Sequence, residues 1–207
     1  MDDPTVFVVD DDDAVRDSLT ILLQSTGYRA EAFASGPALL EAIGPGARGC
    51  IVADVRMPGM DGLELQQALA RRGIGLPVII MTGHGDVPIA VRAMKAGAVD
   101  FVEKPFAEET MVGAIASALE TTQRTARSSG AEPDAAALDR LSQLTPRERD
   151  VLEALVAGHP NKVIAHLLQI SPRTVEIHRA RIMEKMEARS LSHLVRLSLS
   201  AGVQPRE

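Results

Sequence analysis

Cysteine is nearly missing from this 207-residue chain: Cys50 stands alone, which excludes an internal disulfide and any cysteine-rich zinc site. Histidine is also sparse, and the five (84, 159, 166, 178 and 193) show no HExxH spacing, so a histidine-held metal is not expected. Tryptophan is absent and only one tyrosine and four phenylalanines occur, too few for a platform on which nucleic-acid bases stack. No apolar run approaches the roughly 18 residues of a membrane span. Val78-Ile79-Ile80-Met81, among the longest, is strand-sized. Met1-Asp2-Asp3-Pro4 lacks the basic start and apolar stretch of a secretory signal. The expectation is a cytoplasmic chain with no membrane contact.

What is present is unevenly spread. The formal net charge is −6, yet residues 1–124 hold 10 Lys+Arg against 18 Asp+Glu, whereas residues 125–207 hold 12 against 10. A nucleic-acid partner is therefore electrostatically easier for the second part. Between them, TTQRTARSSGAEPDAAA (121–137) has almost no large apolar residues and reads as a linker, with helix possible at its start. The division expected is 1–121, a linker over 122–140, and a second domain over 141–207.

The first part alternates two periodicities. Thr5–Val9, Arg29–Phe33, Cys50–Ala53, Pro77–Met81 and Val99–Val102 are short β-branched or apolar segments that predict strands. Helical patterns fall between and after them, over 14–26, 36–43, 62–71, 87–96 and 107–121. Repeated β–α units of this length predict a parallel α/β sheet covered on both faces. Ligands of such sheets sit beyond the carboxyl ends of the strands.

Those ends carry a coherent set of groups. The first strand runs into Asp10-Asp11-Asp12-Asp13, the third ends in Asp54, the fourth in Thr82-Gly83, and the fifth meets Lys104-Pro105. A lone strand-end aspartate is most often a helix cap, but four such features on one rim form a site. Neighbouring carboxylates repel one another unless a cation joins them, and Mg²⁺, a hard ion suited to oxygen ligands, fits two or three carboxylates and a phosphoryl group. Asp12 and Asp13 are more simply read as solvated or helix-capping.

The motifs VVDDD (8–12), DVRMPGMDG (54–62), MTGHGD (81–86) and GAVDFVEKPF (97–106) resemble the receiver domain of two-component response regulators. The resemblance covers residues 4–121 and implies a five-stranded parallel flavodoxin-like α/β fold. It implies that Asp54 accepts a phosphoryl group from a sensor histidine kinase and that Asp10, Asp11, Asp54 and the Arg56 backbone carbonyl hold Mg²⁺. It also implies that Lys104 neutralises the phosphoryl group, that Thr82 is the switch hydroxyl and that Phe101 is the aromatic that repacks. The Lys104-Pro105 pair often carries a cis bond in that family.

The second part is wholly helical in pattern. Thr145-Pro146-Arg147-Glu148 reads as a helix start, Gly158-His159-Pro160 as its stop, Asn161 as the cap of a second helix and Ser171-Pro172 as the start of a third reaching about Met186. A fourth covers about Leu191–Ser200. Two short helices joined by Gln169-Ile170-Ser171 fit a helix-turn-helix, the alternative being a solvated basic face on a small bundle. LTPRERDVL (144–152), NKVIAHLL (161–168) and SPRTVEIHRARIMEKM (171–186) resemble the LuxR-type DNA-binding domain over 141–203, with Val163 and Pro160 as departures. That resemblance implies that Glu176, Ile177 and Ala180 face the DNA groove. It implies backbone contacts from Arg173, Thr174, His178, Arg181 and Lys185, with Arg179 serving either use.

Together the two resemblances imply a FixJ-like response regulator. It would have no catalytic residues of an enzyme and would be phosphorylated on Asp54. It would then pair as a homodimer through the Val87–Val102 face, freeing residues 141–203 to bind promoter DNA and, with RNA polymerase, regulate transcription, as an activator. Two alternatives compete: a phosphatase or phosphotransferase working through an aspartyl phosphate, and a pseudo-receiver bound to DNA at all times. The lysine at the end of the fifth strand argues against the first; the second does not explain why Asp10, Asp11, Asp54, Thr82 and Lys104 are all present.

Overall fold

A computed structural model describes residues 4–83, 87–125 and 135–203. It divides into two compact units, residues 1–84 with 96–129 and residues 85–95 with 130–207.

The first unit is built on strands β1 (Thr5–Val9), β2 (Arg29–Phe33), β3 (Gly49–Asp54), β4 (Val78–Thr82) and β5 (Asp100–Glu103). All pair in parallel in the order β2-β1-β3-β4-β5, with Thr5 opposite Arg29 and Gly49, and Ile51 opposite Val78. β1, β3 and β4 are buried along their whole length, as expected of central parallel strands covered on two faces, while β2 at the edge is partly exposed. Val6, Val8, Cys50, Val52, Ile79 and Met81 point to one face. There they pack with Leu19 and Leu23 of α1 (Asp13–Ser25) and with Met111 and Ile115 of α5 (Glu108–Thr125). Gly49 opens β3 at φ +136°, and a Cβ there would come within 1.8 Å of the Thr5 carbonyl, so only glycine lets β3 lie this close to β1.

Local signals fix the helix starts. Asp12 caps α1 by accepting from Ala14 N–H, Ser35 caps α2 (Gly36–Ala42), and Asp61 with Glu64 forms a capping box on α3 (Gly62–Arg71). Helix α4 spans Val87–Lys95 and belongs to the second of the two units. Strand and helix limits fall within one or two residues of the expected ones, except that α5 runs on to Thr125.

The remaining helices are α6 (Ala135–Ser142), α7 (Pro146–Val156), α8 (Asn161–Leu167), α9 (Pro172–Lys185) and α10 (Leu191–Ser200). Val151, Leu152, Leu155, Ile164, Val175, Ile182, Met186, Leu194 and Val195 form their buried core. Helix α6 begins within the stretch expected to be linker, and its Ala137 and Leu141 are buried. Asn161 also departs from expectation. Pro160 holds the cap position of α8 with no side-chain bond, and Asn161 is the first helical residue. The Asn161 Oδ1 accepts from Arg179 instead, at 2.7 Å.

Candidate functional site

The carboxyl rim of the sheet gathers Asp10 after β1, Asp54 ending β3, Thr82 ending β4 and Lys104 after β5. The Lys104 ammonium donates to Asp54 Oδ1 at 2.5 Å and to Asp10 Oδ2 at 2.7 Å, so two buried carboxylates share one cation. Asp10 is 2% exposed and Asp54 8%. Burial pulls the Lys104 pKa down, but the hydrogen bonds and charges of Asp10 and Asp54 outweigh it and raise it above the ordinary lysine value. The other carboxylate oxygens are oriented by backbone: Arg56 N–H donates to Asp54 Oδ2 at 2.6 Å and Asp12 N–H to Asp10 Oδ1 at 3.0 Å.

Thr82 is buried, its hydroxyl facing the Gly83 carbonyl at 3.4 Å, and its own carbonyl accepts from Lys104 N–H at 2.7 Å. Phe101 is half-buried on β5, opposite Ile80. The peptide bond before Pro105 is cis. Asp11 is exposed and is not drawn in. Among the described residues no three acidic or histidine side chains gather closely enough to hold a metal. The donor chemistry nonetheless fits Mg²⁺, since Asp10 and Asp54 already share one cation through hard carboxylate oxygens.

Two positions with no role assigned from sequence shape the rim. Gly62 packs so closely that a Cβ would lie 2.5 Å from the Asp54 carbonyl, which makes this glycine the floor under the acceptor loop. Its place closing DVRMPGMDG is the only signal available in advance. Arg16 donates to the Asp10 carbonyl at 2.6 Å and pairs with Asp13 on α1. Nothing in the sequence distinguishes it from a solvated arginine. Beside Lys104 an open groove of about 390 Å³ runs along α1, lined by Ala14, Val15, Ser18, Leu22, Pro105 and Phe106.

On α9, Arg173, Glu176, Ile177, Ala180 and Arg181 are exposed along one side. Thr174 is committed to the helix start, its N–H donating to the Ser171 hydroxyl at 3.0 Å. His178 is half-buried and its Nδ1 lies out of solvent with no partner among the described residues. Two residues expected to touch DNA also bond within the domain. Arg179 bonds Asn161 of α8. Lys185 bonds the Glu148 carboxylate of α7 at 2.7 Å and the Gln143 carbonyl at 3.3 Å. Glu148 is 2% exposed. Burial would raise its pKa, but Lys185 and the Thr145 N–H and hydroxyl reverse this and hold it at about 2. Both cations thus brace α9 against its neighbours, a use that residue type and spacing do not reveal.

An acidic rim with a shared lysine, followed by a helix-turn-helix, defines a phosphoryl-accepting switch joined to a DNA-binding output. Comparison with known proteins agrees. Residues 6–116 match the response regulator receiver domain, and residues 142–198 match the bacterial regulatory proteins of the luxR family. The transcriptional regulatory protein FixJ of Azorhizobium caulinodans is 52% identical over 98% of this chain and 95% of its own, and that of Bradyrhizobium diazoefficiens 50% identical over 96% of each. The crystal structure of full-length FixJ from B. japonicum aligns with a TM-score of 0.56 at 48% identity over 98% of both chains. The chain belongs to the response regulators that carry a receiver domain and a LuxR-family DNA-binding domain. A histidine kinase and DNA are the partners that class implies, and receiver domains generally bind Mg²⁺ at the phosphorylation site.

Proposed function

We propose that Asp54 accepts the phosphoryl group and that its modification switches the second domain into a promoter-binding dimer that activates transcription. The observation that carries the reading is the pair of buried carboxylates, Asp10 and Asp54, sharing the Lys104 ammonium at the carboxyl rim. Asp54 Oδ attacks phosphorus as the bond from phosphorus to the donor imidazole nitrogen breaks. Lys104 then moves its hydrogen bonds onto the new phosphoryl oxygens as a point charge, and Thr82 donates its hydroxyl to one of them. Asp10, Asp54, Asp11 and the Arg56 carbonyl would hold Mg²⁺, which offsets the repulsion between two anions when bound. The groove beside Lys104 suits a donor protein's helix, because its apolar lining ends at Lys104, which bonds the acceptor Asp54. Homodimerisation, contact with RNA polymerase and a cytoplasmic location follow from the same reading.

The test is intact mass after incubation with Mg²⁺ and acetyl phosphate. One stable phosphoryl group on the wild type, and none on Asp54→Asn, supports the switch. Continuous turnover of acetyl phosphate points to an enzyme, and no adduct to a receiver that has lost the reaction. An Asp54→Asn protein modified at the wild-type rate on Asp10 or Asp11 overturns the assignment.

A further inference from the structure

Asp10 is gripped from two sides. Lys104 holds its carboxylate, but the same ammonium bonds Asp54 and, in the proposed reaction, moves to the phosphoryl oxygens. The other grip is Arg16 of α1. Its Nη1 donates to the Asp10 backbone carbonyl at 2.6 Å, and its Nη2 pairs with the Asp13 carboxylate. The Arg16 side chain is 15% exposed and that of Asp13 86%, so the arginine is turned into the rim and its partner into water. The bonded carbonyl belongs to the peptide that joins Asp10 to Asp11, the two carboxylates expected to hold Mg²⁺. Short local bonds tie the rest of this turn, from Asp12 N–H to Asp10 Oδ1 and from Ala14 N–H to Asp12 Oδ1. Arg16 adds a tie that consumes no carboxylate oxygen of Asp10 or Asp11.

Four consecutive aspartates, residues 10–13, repel one another, and a turn free to relax would spread them. A guanidinium opposes this well, because its planar fork meets a carbonyl and a carboxylate at once, whereas an ammonium acts as a point charge. We propose that Arg16 is a positioning residue for the divalent cation: it fixes the Asp10–Asp11 peptide, from which both carboxylates reach the ion, and leaves their oxygens free. This rests on the reading of Asp10 and Asp11 as Mg²⁺ ligands. Groups that orient metal ligands from behind govern affinity by roughly 10–100-fold. Charge and position make opposite demands here. A cation beside the site repels Mg²⁺, so by Coulomb's law alone the loss of Arg16 tightens binding. A residue that positions the ligands weakens binding when it is lost.

The test is calorimetric titration of the unphosphorylated full chain with Mg²⁺ alone, for the wild type, Arg16→Ala and Arg16→Lys. The expected result is a dissociation constant raised about ten-fold in Arg16→Ala. Arg16→Lys, which keeps the charge but not the fork, should fall between the two. Binding by Arg16→Ala as tight as the wild type, or tighter, overturns the inference. A merely structural arginine would lower the thermal midpoint of the metal-free chain and leave the dissociation constant where it was. Should Arg16→Ala show no cooperative thermal transition, Arg16→Lys decides alone: an affinity equal to the wild type overturns the inference, and a weaker one supports it. A wild type that takes up no Mg²⁺ refutes the metal reading itself, and this inference falls with it.

Discussion

At Gly62 the absence of a side chain is what holds the acceptor loop in place. A Cβ would meet the Asp54 carbonyl at 2.5 Å and the Val55 Cα at 3.1 Å, both backbone atoms that cannot rotate away. Gly62→Ala should therefore cost roughly 1–3 kcal/mol, the usual cost of overpacking, and slow phosphoryl uptake as the loop shifts. Gly44→Ala, where nothing lies within 4 Å, is the control. Urea midpoints of both variants measure it, and equal values would show that the loop yields freely. At Glu148 the deciding feature is charge. Its pKa falls from the ordinary 4.5 to about 2 in the folded chain, so the stability it supplies is present above pH 4.5 and is lost as pH falls towards 2. The wild type should exceed Glu148→Gln by up to about 3 kcal/mol at neutral pH, and that gap should close between pH 4.5 and 2. A gap unchanged across the range would mean that the pair with Lys185 contributes no pH dependence.

Among the elements, caps and periodicity carried most of the legible information. Thr145 and Glu148 close a capping box on α7, and Ser171 caps α9 by accepting from Thr174 N–H; both were readable as Ser/Thr-Pro starts. The order of strand and helix in the first part likewise predicts a parallel sheet, and the rim residues follow from where each strand ends. Helix α6 was not legible, because its short alanine-rich sequence shows little apolar periodicity and its helicity is supported by burial of Ala137 and Leu141. Nor were the inward turns of Arg179 and Lys185, since which side of a basic helix faces protein depends on acceptors, Asn161 and Glu148, more than ten residues away in sequence. Ser171→Ala should cost about 1 kcal/mol and loosen the end of α9 that presents Arg173. Faster amide exchange at residues 173–175 is the measurement, and protection equal to wild type would show that the cap is dispensable.

For the molecule as a whole, one recognition helix with Arg173 and Arg181 as its exposed cations is a small basis for specific DNA affinity. Modules of this size reach useful affinity when two of them engage half-sites about one helical turn apart. In the proposed switch the pairing face is the one expected from sequence, Val87–Val102. Within that face Val91 is fully buried, so Val91→Asp, a natural first choice of disruptive change, would probe folding and not pairing. Arg92 and Lys95 are exposed and are the residues to change. Arg92→Glu should leave uptake of the phosphoryl group at Asp54 unaltered while shifting the monomer–dimer balance of the phosphorylated protein towards monomer. It should weaken binding to a two-half-site duplex in parallel, because a charge reversal at a symmetric interface is felt twice. Sedimentation of the phosphorylated wild type and variant, at one protein concentration, decides the matter. A variant that dimerises as fully as the wild type excludes this face, and a wild type already dimeric before phosphorylation removes dimerisation as the switched step.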